Sequence, residues 1–368
     1  MLGSFPPELR GRLAATSLLR SREPTLSCNH SSQSYRDERV LSEENLLQAN
    51  DQRPSRQAVL LLAHGTPETV DQIPEYLLNV TGGRQIPHEV VAEIQHRYSL
   101  IGHSPLTEIT LQQGRAVAAQ LSVSGQLMPV YVAMRNWQPY IADVVRRMRA
   151  DGVEEAAVIC LAPQNSRTSV GLYRSAVESE AAGLRIDFTE GWAQHPLLIE
   201  AFAERLRPVW TRLSTENGAP VPVLFTAHSV PCRTIQAPAG SPDGQGGDPY
   251  AGEAKRTAAL VAARVPGIPQ WYFAFQSQGA SGGSWIGPTV ESTLEALAAS
   301  GVKTLLLQPI GFLCDHVEIL YDVDIHFREV ASKLNMRLER PESLNASVTL
   351  ARAIADLARQ GLSRLSSQ

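Results

Sequence analysis

The feature that most constrains the fold is a series of short apolar runs that recurs along the chain from residue 57. Six of them are AVLLLAHG, MPVYVAM, EEAAVICLAP, VPVLFTAHS, PQWYFAFQ and KTLLLQPIGF. Runs of this length without polar alternation are typical of strands buried on both faces of a parallel sheet. Segments of helical period, such as TEITLQQGRAVAAQLS and VESTLEALAASGV, lie between them. The alternation predicts βαβ units and a doubly wound α/β fold.

A weak internal repeat indicates two similar halves. Residues 59–67 read VLLLAHGTP and residues 223–231 read VLFTAHSVP, so each is an apolar strand that ends in Ala-His. Ligands of open α/β sheets bind outside the carboxyl ends of the strands. We therefore expect His64 and His228 to face one cleft shared by the two halves.

The chain divides into three predicted regions. Residues 1–56 are rich in Ser, Arg, Gln and Asn without a sustained period, which predicts a disordered N-terminal extension. An N-terminal lobe is predicted over 57–200, and a C-terminal lobe that carries the candidate metal site over 201–368. No window holds about 18 uncharged apolar residues, so no transmembrane helix is expected.

Composition excludes several classes of function. The formal charge of -4 offers no basic surface for nucleic acid. The 4 cysteines are far apart, which excludes a zinc ribbon or a disulfide framework and favours a reducing cytoplasm. Dinucleotide, phosphate-loop and HExxH motifs are absent from the sequence. Catalysis is therefore expected from His, carboxylate, Tyr or Ser side chains.

The most informative segment is GFLCDHVEILYDVDIHF at 311–327. Asp315 and Glu318 have the spacing of a capping box, which predicts a helix start. Glu318, Asp322 and His326 follow at i, i+4 and i+8, on one face of that helix. Like charges four residues apart weaken an isolated helix, so the series favours a role in binding a cation. Oxygen and imidazole ligands suit ferrous iron, manganese or zinc.

A histidine and a carboxylate are expected at the same rim of the cleft. His228 ends a strand, and Glu318 begins the helix after another strand. An imidazole with an ordinary pKa near 6.5 can accept a proton or bind a metal at pH 7. Glu318, near a helix N-terminus, is expected to stay ionised. The pair suits a reaction in which protons leave and a dication takes their place.

Several segments, in the same order along the chain, resemble the ferrochelatase family. The segments that carry the resemblance are LLAHGTPE (61–68), RYSLIGHSPL (97–106), LAPQNSRTSVGLY (161–173), FTAHSVP (225–231), GDPY (247–250), FQSQ (275–278), SWIGP (284–288), PIGFLCDHVEILYDVDI (309–325) and RPESLN (340–345). The resemblance covers about residues 57–362. It implies a lyase that inserts ferrous iron into coproporphyrin III or protoporphyrin IX in haem biosynthesis, with release of two protons.

The resemblance also implies roles for individual residues. It makes His228 and Glu318 the catalytic residues and metal ligands, and it places Asp322 and His326 along the path of the metal. The residues that it implies for porphyrin binding are His64, Arg97, Tyr98, Ser104 and Tyr173. His64 departs from the family, which tends to carry Tyr or Met at this position, and it leaves the choice of porphyrin open.

The remaining expectations concern cofactors, partners and location. No organic cofactor is expected, and no iron–sulfur cluster, because no cysteine follows Cys314. The expected partners are porphyrin and ferrous iron, and no nucleic acid is expected to bind. The protein is expected to be a cytoplasmic monomer, and weak association with a membrane stays possible. Two alternatives stay open: a cobalt or nickel chelatase for another tetrapyrrole, and a non-catalytic carrier of haem or metal. The predicted fold is α/β, with two similar Rossmann-like lobes, each a parallel sheet flanked by helices, and the active-site cleft between them.

Overall fold

The computed structural model of this protein describes residues 56–122, 128–236, 247–278 and 283–367. Of the predicted N-terminal extension, only Arg56 falls within these ranges. The prediction of disorder for the preceding residues lies outside the described part of the chain. No helix within the four ranges is both long and apolar enough to cross a bilayer.

Two four-stranded sheets form the centre of the fold, and every strand pairing in them is parallel. The strands are β1 (Gln57–Ala63), β2 (Val130–Met134), β3 (Glu155–Cys160), β4 (Arg185–Thr189), β5 (Val223–His228), β6 (Trp271–Gln276), β7 (Thr304–Pro309) and β8 (Arg337–Glu339). The strand orders are β2-β1-β3-β4 and β6-β5-β7-β8. Because the two orders correspond strand for strand, the structure confirms the predicted α/β fold with two similar lobes.

Helices flank both sheets. They are α1 (Ile73–Val80), α2 (His88–Ile101), α3 (Leu106–Leu121), α4 (Ile141–Ala150), α5 (Val170–Glu178), α6 (Pro196–Asn217), α7 (Cys232–Ile235), α8 (Tyr250–Ala263), α9 (Val290–Ala299), α10 (Arg328–Lys333) and α11 (Val348–Ser366). A 3-10 turn at Val70–Gln72 precedes α1, and a π-helix at Glu318–Phe327 precedes α10. Parallel strands need such crossovers because consecutive strands must start from the same end of the sheet.

The apolar runs are buried on both faces, as their composition predicts. In β1, Val59 and Leu61 belong to one core, and Leu60 and Leu62 belong to another on the opposite face of the sheet. All four side chains are fully buried. Successive residues of a strand point to opposite faces, so only a continuous apolar run can fill two cores at once.

A shared layer of helices joins the two lobes. Helices α3, α6, α8 and α11 contribute to one core with residues of both sheets. The last helix, α11, packs against α3, β3 and β4 as well as against α6. The second half of the chain therefore helps to cover the first sheet, and the predicted boundary between residues 200 and 201 stays a prediction.

The topology places the two matching histidines at equivalent points. His64 directly follows β1, and His228 is the last residue of β5. In each sheet the direction of winding reverses beside this strand, between β1 and β3 or between β5 and β7. Such switch points at the carboxyl ends of parallel strands leave a crevice in which ligands bind.

Candidate active site

The strand ends open into a cavity of about 310 Å³, called here the inner cavity. Residues from both lobes line it, including His64, Arg135 and Tyr173 from the first and His228 and Glu318 from the second. Its volume falls within the range of small-molecule sites. The sequence prediction that His64 and His228 face one cleft agrees with this arrangement.

His228 and Glu318 are in direct contact across the inner cavity. The Nε2 atom of His228 lies 3.2 Å from Oε1 of Glu318, and each side chain remains about one third exposed. The approach depends on Gly311, because a Cβ atom there would lie 3.0 Å from the Cα atom of Ala227. The absence of a side chain lets the segment after β7 pass directly against the end of β5.

A second histidine, His316, contacts the same carboxylate. Its Nε2 atom lies 3.4 Å from Oε2 of Glu318, and its Nδ1 atom lies 3.0 Å from the carbonyl oxygen of Cys314. The ring of Phe312 packs between the histidines, with centroid distances of 6.2 Å to His228 and 4.5 Å to His316. Glu318 is therefore held between two imidazoles.

The His228–Glu318 contact controls the charges at the site. Burial alone would raise the pKa of Glu318, but the charge and hydrogen bond of His228, together with His316, hold that pKa well below its usual range. Burial alone would lower the pKa of His228, and the facing Glu318 carboxylate raises it overall. In the metal-free protein the two side chains therefore favour a charged pair.

His64 is neutral, in contrast to His228. Burial, together with the positive charge of Arg135, lowers the pKa of His64 to about 4. The hydroxyl oxygen of Tyr76 lies 2.9 Å from its Nε2 atom, and the amide nitrogen of Asn136 lies 3.1 Å from Nε2 and 3.2 Å from Nδ1. Tyr76 and Asn136 thus fix a neutral imidazole in one wall of the inner cavity.

A second cavity, of about 450 Å³, lies farther along the π-helix and is called the outer cavity. Its polar lining includes Glu93, Arg97, Ser277, Glu291, Asp322 and His326. Asp322 accepts a hydrogen bond from Ser277, and His326 Nε2 lies 3.1 Å from Glu291 Oε1. Within the described ranges, no group of three or more His, Cys, Asp or Glu side chains is arranged to hold a metal ion.

The π-helix carries the predicted acid–acid–histidine series from one cavity to the other. Glu318 lines the inner cavity, and Asp322 and His326 line the outer cavity. A π-helix bonds residue i to residue i+5 and winds more loosely than an α-helix, so residues four apart stay close to one face. Burial, followed by the charge of Glu318, raises the pKa of Asp322 to about 6.

The structure brings only part of the predicted porphyrin set to the inner cavity. His64 and Tyr173 line it, whereas Arg97 lines the outer cavity, with its Nη1 atom 3.3 Å from Asp322 Oδ1. Tyr98 is buried in a small apolar cluster with helix α1. Ser104 is buried behind Thr66, whose hydroxyl donates a hydrogen bond to it at 3.0 Å.

The predicted capping box does not form. The π-helix begins at Glu318 with Val317 as its N-cap, and no side chain caps it. The Asp315 carboxylate instead accepts hydrogen bonds from Ser343 Oγ at 2.7 Å and Asn345 Nδ2 at 3.0 Å. Asp315 therefore binds Ser343 and Asn345, which are distant in sequence, instead of capping the helix as the local pattern would allow.

Several residues that line the inner cavity were not predicted from the sequence, among them Tyr76, Arg135 and His316. Arg135 directly follows β2, as His64 follows β1, and its guanidinium carbon lies 5.3 Å from the ring centroid of Tyr173. This position after a buried strand was the available signal. His316 stands two residues before Glu318, and its burial could not be anticipated from that spacing.

Comparison with known proteins identifies the family of this two-lobed α/β protein, a family of metal chelatases. A family model described as Ferrochelatase matches residues 56–362. A ferrochelatase from Acidobacterium capsulatum is 60% identical over 316 residues, which cover 84% of this chain and 96% of that protein.

Two more distant relatives give the same result. A ferrochelatase from Herpetosiphon aurantiacus is 37% identical over 297 residues, which cover 79% of this chain and 94% of that protein. A coproporphyrin III ferrochelatase from Mycolicibacterium vanbaalenii is 34% identical over 310 residues, with coverages of 82% and 89%. The chain belongs to the ferrochelatase family and is a metal-chelating enzyme, which confirms the resemblance in the sequence.

Replacement of Glu318 by Gln is expected to lower the pKa of His228, because burial then acts on the imidazole without the facing carboxylate. NMR titration of the His228 ring protons in the metal-free protein measures the change. Glu291→Gln is the matched control, since Glu291 raises the pKa of His326. That variant should shift the titration of His326 and leave that of His228 in place. An unchanged His228 titration in Glu318→Gln would contradict the charged pair.

Asp322→Asn is expected to raise the free energy of unfolding at alkaline pH. The folded protein binds the Asp322 proton more tightly than the unfolded chain does, so the wild type loses stability as the pH rises through about 6. The free energy of unfolding of the variant minus that of the wild type should be about 1–3 kcal/mol larger at pH 8 than at pH 4. Urea unfolding at both pH values measures this gain, with the solvent-exposed Asp71→Asn as control. A difference that is the same at both pH values would contradict the elevated pKa.

Proposed function

We propose that this enzyme inserts ferrous iron into a porphyrin bound in the inner cavity, as a step of haem biosynthesis. The observation that carries the proposal is the contact between His228 and Glu318 at 3.2 Å on the wall of that cavity. The same π-helix leads from Glu318 to the outer cavity. A proton-accepting pair and a polar route for a cation are the two features that metal insertion needs.

The porphyrin is held by groups of both lobes. Arg135 is the only Arg or Lys among the described residues that line the inner cavity, and its buried Nε atom has no hydrogen-bond partner among the described residues. Its guanidinium suits a carboxylate side chain of the macrocycle. Tyr173 and the neutral His64 supply flat wall surface beside it. Contacts remote from the pyrroles can bend the ring and expose its nitrogen atoms.

The chemical step exchanges two protons for one dication. Two pyrrole N–H bonds break, their electron pairs stay on nitrogen and bind iron, and the oxidation state of iron does not change. Glu318 is ionised and can accept one proton directly. His228 accepts the other after it has released its own proton to solvent, which the approach of a dication favours. Both side chains therefore serve as bases and as transient iron ligands.

The route of iron is assigned to the outer cavity. Asp322 and His326 line this cavity one and two turns beyond Glu318. Carboxylate and imidazole groups bind ferrous iron without the tight retention that thiolates would give. Arg97 and Ser277 bind the Asp322 carboxylate and hold it in the wall of the outer cavity.

We further propose that the enzyme is a cytoplasmic monomer without an organic cofactor or an iron–sulfur cluster. Cluster ligation requires thiolates. Burial raises the pKa of both Cys160 and Cys314 to about 12, which opposes thiolate formation. Cys232 is the third described cysteine, and Cys28 lies outside the described residues.

Replacement of His228 or Glu318 by Ala is expected to lower the rate of iron insertion about 10²-fold or more, because each removes a proton acceptor. Porphyrin binding should be largely retained. A continuous absorbance assay under anaerobic conditions measures the rate with coproporphyrin III and protoporphyrin IX in parallel, and the faster reaction identifies the substrate. Cobalt and nickel in place of iron test the metal preference.

The exposed His88→Ala is the control for histidine removal and should keep the wild-type rate. Insertion at the wild-type rate by His228→Ala would refute the assignment of His228. Tight binding of iron porphyrin without turnover by the wild type would indicate a carrier instead of an enzyme.

Replacement of Arg135 by Met is expected to weaken the binding of a carboxylated porphyrin by about 10-fold to 100-fold, which corresponds to the loss of one charged hydrogen bond. Fluorescence quenching gives the Kd. Binding of the fully esterified porphyrin, which lacks carboxylates, should not change, and Arg135→Lys should restore part of the affinity. Equal weakening for acid and ester would exclude a carboxylate contact.

A further inference from the structure

The loop after β8 holds the segment that carries Glu318 at two points. We propose that Arg340 and Asn345 are positioning residues for the metal-insertion reaction, because they bind Asp315 before Glu318 and Asp324 after it. The inference rests on the proposed role of Glu318. It concerns how that carboxylate is held in place, and neither Arg340 nor Asn345 lines the inner or the outer cavity.

Arg340 connects two carboxylates through one guanidinium. Its Nε atom donates to Asp324 Oδ1 at 2.8 Å, and its Nη2 atom donates to Asp324 Oδ2 at 2.6 Å. The same Nη2 atom lies 3.1 Å from Asp315 Oδ1. The Arg340 side chain is only 10% exposed, so these contacts are shielded from water. Bidentate pairs of this kind fix orientation as well as distance.

Asn345 holds Asp315 through both polar atoms of its side-chain amide. Its Nδ2 atom donates to Asp315 Oδ2, and its Oδ1 atom accepts from the backbone N–H of Asp315, each at 3.0 Å. Its own backbone N–H donates to the carbonyl oxygen of Leu313 at 2.8 Å. The residue adopts a φ of 46°, in the left-handed region, which Asn tolerates better than most side chains.

The first lobe also takes part in this arrangement. Gln113 of α3 donates from Nε2 to the carbonyl oxygen of Asn345 at 2.9 Å. The loop that holds Asp315 is therefore bonded to the lobe that contributes His64 and Tyr173 to the inner cavity. This bond places Glu318 relative to the opposite wall of the cavity as well as relative to His228.

Two attachment points matter because the π-helix has no side-chain cap of its own. Its hydrogen bonds have unusual geometry, and such helices persist where tertiary contacts support them. Asp315 lies three residues before Glu318, and Asp324 lies six residues after it. With both carboxylates fixed, the carboxylate of Glu318 has little freedom to move from His228. A shift of about 1 Å at a reacting group can cost 10²-fold in rate.

The first test is Asn345→Gly. Gly adopts a positive φ freely, so this variant keeps the backbone and removes only the bonds to Asp315. Asn335→Gly is the matched control, because Asn335 is exposed and has a φ of 54°. We expect kcat for iron insertion to fall about 10-fold in Asn345→Gly, with an unchanged Kd for porphyrin. Asn335→Gly should keep the wild-type kcat, and both variants should have similar thermal midpoints.

The second test is Arg340→Lys, which keeps the charge and loses the bidentate bond. Arg364→Lys is its control, since Arg364 binds Asp187 with the same bidentate geometry on the first lobe. We expect kcat to fall in Arg340→Lys and to remain unchanged in Arg364→Lys. Arg340→Gln should lower kcat further, so that Lys acts as a partial rescue.

Two results would overturn the inference. One is a wild-type kcat in both Asn345→Gly and Arg340→Lys. The other is a loss of activity that follows only the unfolded fraction at the assay temperature. Failure of the proposed function is a separate outcome, since it would appear as normal iron insertion in His228→Ala and Glu318→Ala.

Discussion

The contact between His228 and Glu318 is the interaction on which the rest of the site depends. It joins the end of a strand to the start of a π-helix, and Gly311 allows the segment before that helix to pass close to Ala227. Each group changes the proton affinity of the other, since burial alone would leave both uncharged. The pair thus keeps an ionised carboxylate and a protonated imidazole in a partly enclosed cavity, where a dication can displace the imidazole proton.

Two carboxylates on one helix have opposite electrostatic environments. Glu318 faces imidazoles and keeps a low pKa, whereas Asp322 is buried one turn away, near the charge of Glu318, and has a pKa of about 6. Side chains of the same chemistry can therefore perform different tasks, a separation that is common in active sites. Asp322 can release or take up a proton near neutral pH while Glu318 stays ionised.

Much of the fold could be predicted from the sequence, because buried parallel strands leave a strong signal. The apolar run of β1 fills two cores, and the Ala-His repeat marks equivalent strand ends, so both the architecture and the meeting of His64 with His228 followed from local pattern. The π-helix did not, since a spacing of four residues fits either helix type. The spacing of Asp315 and Glu318 indicated a helix start but could not reveal the real partner of Asp315, because Asn345 lies 30 residues away.

The packing of α11 has a consequence for the order in which the protein folds. This last helix covers the inner face of the first sheet, where Gly361 allows close approach to Ala157 of β3. A ribosome releases the strands of the first lobe long before it releases Val348–Ser366. During synthesis the first sheet therefore exposes an apolar face until the final helix emerges. Apolar surface that stays exposed in this way is the kind that chaperones protect.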